Sequence, residues 1–109
     1  MKAAILHPAA REAIRLFPKG VRRELGKAVF DLQKGAVVSM PLSRPMPSVA
    51  TGVEELRIRD QTGIYRVFYY ARVPRGVLVF HAFAKRSRAT PRHELELGRK
   101  RLRELLDEA

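Results

Sequence analysis

The chain has no cysteine, no tryptophan and no acidic residue anywhere between Gln61 and His93. Without cysteine there is no disulfide, no thiol nucleophile and no cysteine-ligated zinc, and the composition fits a reducing compartment. No apolar run approaches the roughly 18 residues that a membrane-spanning helix needs. The opening residues, MKAAILHPAAREAIRLF, do not read as a signal peptide, because His7, Pro8, Arg11, Glu12 and Arg15 interrupt any apolar core. These absences point to a cytoplasmic protein with no membrane partner. A glycine-rich phosphate loop is also missing, as is any His/Asp/Glu spacing that would suit a metal. Neither a metal nor another cofactor is therefore expected. Ser87 has no histidine–acid set around it in the sequence, which argues against a serine hydrolase.

Positive charge is abundant. The 109 residues carry 22 Lys and Arg against 11 Asp and Glu, a formal charge of +11. A field of that size on a small domain attracts nucleic acid, an acidic protein or another anionic surface, without choosing among them. With 46% hydrophobic residues the chain can bury a core, and its length suits a single domain over residues 1–109.

Periodicity divides the chain into halves. Ala3 to Leu6 reads as a short first strand. Pro8 sits where a first-turn proline is tolerated, and AAREAIRLF follows as a short helix. Val21, Leu25, Ala28, Val29 and Leu32 then recur at helical spacing until Gly35 stops them, so two helices form a hairpin. Residues 36–52 hold several prolines without a period and read as a loop with at most a short extended piece. VEELRIRD alternates, placing Leu56 and Ile58 on one face and Arg57 and Arg59 on the other. IYRVFYYARV and VLVFHAFA follow as strands separated by turns at Gly63 and at Pro74–Gly76. Thr90 reads as an N-cap with Pro91 at the first helical position, and Leu95, Leu102, Leu105 and Leu106 face the core from a last helix. The expected fold class is α+β: a small antiparallel β-sheet in the order β-α-α-β-β-β-α, with an N-terminal helical hairpin and a C-terminal helix.

The acid-free span carries Arg66, Arg72, Arg75, Lys85, Arg86, Arg88 and Arg92. If its strands are neighbours, Arg57, Arg59, Arg66 and the cluster after Phe83 share one patch. Arginine suits phosphate because its planar fork holds two oxygens at once. Tyr65, Tyr69, Tyr70, Phe80 and Phe83 interleave with the bases, the mixture that single-stranded RNA recognition uses. The plainer reading is that Phe68, Phe80 and Phe83 are core and that Arg72 and Arg75 are solvated turn residues. His81, mid-strand, reads as a hydrogen-bonded core histidine. His93 stands beside the cationic cluster, either as an exposed helix residue or as a base.

The run ELRIRDQTGIYRVFYYARVPRGVLVFHAFAKRSRATPRHE resembles the RelE/HigB-type toxins of bacterial type II toxin–antitoxin systems, and within them the phage-derived HigB-like branch. The resemblance rests on Glu55-Leu56-Arg57, on Gly63 through Val67, on His81-Ala82-Phe83 with Lys85-Arg86, and on Thr90-Pro91. It implies a RelE-like fold and an endonuclease that cleaves mRNA on the ribosome without a metal and so inhibits translation. It implies Arg66, Lys85, Arg86 and His93 as catalytic residues and Arg57, Arg59, Arg88 and Arg92 as RNA-binding ones. Where some relatives place a tyrosine for proton transfer, this sequence has Arg92 and His93. The implied partners are the ribosome, mRNA and a small, helix-turn-helix antitoxin, through which alone the toxin would meet operator DNA. Two other readings stay open: a ParE-like inhibitor of DNA gyrase on the same fold, and a non-catalytic RNA-binding module.

Overall fold

The structure, a computed structural model, describes residues 1–85 and 89–108. Its elements run β1 (Ala3–Leu6), α1 (Pro8–Arg15), α2 (Lys19–Gln33), β2 (Ser43–Pro45), β3 (Glu54–Asp60), β4 (Gly63–Val73), β5 (Gly76–Lys85) and α3 (Arg92–Asp107). The architecture is α+β. Five strands form one sheet in the order β1-β5-β4-β3-β2.

The apolar stripe of α2 sets how that helix seats on the sheet. Val21, Leu25, Ala28 and Leu32 are all buried, and Gly35 adopts a positive φ of 90° just past the helix end, where a side chain would be strained. His7 caps α1: its Nδ1 accepts a hydrogen bond from the Ala9 N–H at 3.1 Å. Both N-terminal helices cover one sheet face, where Leu56, Ile58, Val67 and Val79 meet Val21 and Leu25, with Ala13 and Ile14 packed beside them. The other face holds Phe68, Leu78 and Phe80 against Leu102 and Leu105 of α3. Each of these fully buried side chains contributes about 2–3 kcal/mol by leaving water.

Four expectations need correction: the wholly antiparallel sheet, the strand order, the cap of α3 and the inward place of Leu106. The sheet is mixed, because β1 pairs in parallel with β5, Ile5 opposite Leu78, as an edge strand. The short extended piece allowed within residues 36–52 is a strand, β2, which pairs antiparallel with β3 and adds a strand to the expected order. Three residues including a proline make no periodic signal; β2 is held by its partners, with Ser43 Oγ donating to Glu54 Oε1 at 3.1 Å and lying 2.7 Å from the Tyr69 hydroxyl. Finally, Thr90 is not the cap of α3. That helix starts at Arg92 after Pro91, without a side-chain cap, and Leu106 is exposed while Gly98, Leu102 and Leu105 form the buried line.

Two pairings position the site. Arg57 lies directly opposite Arg66 across β3 and β4, and Arg59 opposite Ile64. Arg66 lies opposite Phe83 and Ile64 opposite Lys85 across β4 and β5. Since side chains alternate between faces, Arg57, Arg59, Arg66 and Lys85 share the face on which α3 lies.

Candidate nucleic-acid interface

Like charges opposite one another on a sheet repel, so the Arg57–Arg66 pair requires compensation. It comes from Glu55, which is fully buried two residues before Arg57 on the same face. Arg44 of β2 donates from Nε to Glu55 Oε1 at 2.9 Å. Arg57 Nε stands 3.7 Å from the same oxygen, and Arg66 Nη1 stands 3.8 Å from Oε2. One carboxylate thus gathers three guanidinium groups from three adjacent strands. Arg66 is itself fully buried, and its Nη1 donates to Thr90 Oγ1 at 3.0 Å. Its pKa lies below the ordinary arginine value, chiefly because of burial; Glu55 opposes that effect, while Arg57 and Arg44 add to it. The cluster keeps an excess of positive charge.

The more accessible bases lie around it. Arg57 and Arg59 line a shallow depression of about 370 Å³ with Pro41, Leu42 and Ile64. Beyond Ile64 a second depression of about 470 Å³ is lined by Thr62, Gly63, Ala84, Lys85, His93 and Glu94. The face therefore offers a row of cations, from Arg59 and Arg57 over the buried Arg66 to Lys85, that ends at the imidazole of His93. Such a row can hold consecutive phosphates of a single strand.

Not every expected residue joins it. Arg92 is 91% exposed and pairs with Glu96 at 3.2 Å along the helix. Arg86 and Arg88 lie outside the described residues. Tyr65, Tyr69, Phe80 and Phe83 are buried, so the expected stacking platform is core instead, and Tyr70 is half-buried. Arg75 is not merely solvated, because it donates to the Leu105 carbonyl oxygen near the end of α3.

Two side chains that join these clusters had no signal in the sequence, Arg44 and Glu94. His81, buried as expected, explains the second. Arg101 Nη1 lies 2.7 Å from His81 Nδ1, and since a guanidinium only donates, Nδ1 accepts. The imidazole proton is then on Nε2, which donates to Glu94 Oε1 at 2.7 Å. Burial is the main cause that lowers the His81 pKa; Arg101 adds to it and the Glu94 hydrogen bond opposes it. The other Glu94 oxygen stands 3.3 Å from His93 Nε2.

Fold and face together define a small α+β domain that presents a cationic row on the sheet face shared with its last helix. The sequence model of the phage derived protein Gp49-like family matches residues 12–103, and the chain belongs to that family, which is of the RelE/HigB-like toxin kind. Such a toxin implies an antitoxin partner. No curated protein matches the chain. Among the described residues, no helix is long and apolar enough to cross a membrane.

Proposed function

We propose that this protein is a ribosome-dependent mRNA endonuclease of the HigB branch that inhibits translation in the cytoplasm and is neutralised by a helix-turn-helix antitoxin. The observation that carries the reading is the row of cations on one sheet face, with Arg57 set against Arg66 and the row ending at Lys85 and His93. In the reaction the RNA 2′-oxygen attacks the adjacent phosphorus and the bond to the 5′-oxygen breaks. The 2′-hydroxyl proton passes to a base, and the departing 5′-oxygen takes a proton from an acid, leaving a 2′,3′-cyclic phosphate and a 5′-hydroxyl. Arg57 and Lys85 hold the phosphate oxygens as negative charge builds on them. Arg66 adds its charge from beneath, Arg59 holds neighbouring backbone, and His93 serves proton transfer. Arg86 and Arg88 enter this scheme on the family resemblance alone.

The complete burial of Arg66 favours a second reading, in which the face binds RNA without cutting it. Induced expression of wild type, Arg57→Ala, Lys85→Ala and Arg86→Ala, with mapping of mRNA 5′ ends, separates the possibilities. Cleavage by wild type and at least a tenfold loss in the variants are expected. Intact transcripts with continued translation would leave only the binding reading, and intact transcripts with arrested replication would favour a gyrase inhibitor. Single-stranded RNA affinity should fall with salt at a log–log slope of about −0.7 per phosphate neutralised, and Arg57→Ala should lessen that slope.

A further inference from the structure

Behind His93 runs a polar chain of Glu94, His81 and Arg101. That chain has a fixed direction. It starts at Arg101, which can only donate, and so sets the tautomer of His81. His81 is 2% exposed and must give its Nε2 proton to Glu94 Oε1. Glu94, whose side chain is 16% exposed, is thereby held by one oxygen and turns the other toward His93 Nε2. Glu94 and Arg101 stand seven residues apart on α3, about two turns, so both meet His81 of β5 from one helix face. His93 itself is 70% exposed and shares its depression with Lys85.

We infer that Glu94 is a positioning residue: anchored through His81 and Arg101, it engages His93 Nε2 and leaves Nδ1 as the nitrogen that exchanges a proton with the substrate. The inference deepens the proposed endonuclease reading and rests on it for its catalytic half. The geometric half stands alone. Glu94 Oε2 stands 3.3 Å from His93 Nε2 and a carboxylate can only accept, so this contact favours the neutral tautomer with its proton on Nε2 and a lone pair on Nδ1. An orienting carboxylate behind a working imidazole is a general device for fixing tautomer and direction.

Glu94→Gln tests it with little change of shape. The amide oxygen goes to His81, whose tautomer Arg101 still fixes, and the amide NH₂ group then faces His93 Nε2. His93 must accept there, so its proton moves to Nδ1. Long-range proton–nitrogen NMR of the imidazoles, at a pH where both are neutral, should show His93 as the Nε2–H form in wild type and the Nδ1–H form in Glu94→Gln. RNA cleavage on ribosomes should fall at least tenfold in kcat with KM little changed, and Glu94→Asp should recover part of it. Should Glu94→Gln not fold, wild type alone decides: a single Nε2–H form at His93 supports the inference, and a tautomer mixture overturns it. An unchanged His93 spectrum in folded Glu94→Gln overturns it too, even if wild type cleaves RNA. If the tautomer inverts but wild type cleaves nothing, the endonuclease reading fails and the positioning role stands.

Discussion

Glu55 illustrates what a single buried charge can organise. It is fully buried and stands within ion-pair distance of Arg44, Arg57 and Arg66. Removing its charge leaves Arg66 buried beside two other cations, and breaking a buried pair in that manner costs about 3 kcal/mol or more. Glu55→Gln should therefore lower the free energy of unfolding by about 3 kcal/mol in urea titration, whereas Glu54→Gln, on a partly exposed neighbour, should lower it by less. Equal effects would mean that Glu55 is not the organising charge. The signal for Glu55 was present in the sequence, since residues 55, 57 and 59 of an alternating strand share a face. In the fold the acid-free span is answered by acids from outside it, Glu55 beside Arg66 and Glu94 beside His81. Arg44 gave no comparable signal, as its place depends on a three-residue strand that only tertiary partners hold.

Elements were legible in proportion to their length and periodicity. The stripe of α2 and the three-strand run from Glu54 to Lys85 carried their own patterns, and both are present. The parallel docking of β1 on β5 has no local signature, because the two strands meet only in space. The fit of α3 against the sheet was likewise hidden. Gly98 packs so close to the sheet that a Cβ there would stand 2.9 Å from the Phe68 ring, whereas nothing lies within 4 Å of one built at Gly26 of α2. The same replacement should therefore act in opposite directions. Gly26→Ala should stabilise by up to ~1 kcal/mol through helix propensity. Gly98→Ala gains the same propensity but forces a fully buried ring to move, at a cost of about 1–3 kcal/mol, so it should destabilise or at best break even. Thermal unfolding of the two variants checks this, and a stabilised Gly98→Ala protein would mean that α3 does not seat on Phe68.

For the molecule as a whole, composition points toward anionic partners and leaves the chemistry open. A net charge of +11 attracts anionic surfaces, and the sheet register brings Arg57, Arg59, Arg66 and Lys85 to one face. Global stability should also depend on pH through His81, which faces Glu94, Arg101 and His93. Its folded pKa is depressed below 6.5, so the unfolded chain takes up a proton that the folded chain refuses. Stability is then complete above that pH and declines as pH falls from there toward the folded value, by at most about 1.4 kcal/mol per pH unit. Urea midpoints at several pH values below neutrality should fall for wild type and follow a flatter course for His81→Gln; parallel curves would assign the dependence elsewhere. The pairing of Ala3 with Gly76 has one more consequence. During synthesis β1 leaves the ribosome first yet must wait for β5, and α3, which brings His93 and Glu94, comes later still. So long a sequence separation makes the closing contacts late ones. A nascent chain of this kind completes its cationic face only after the last helix has been made.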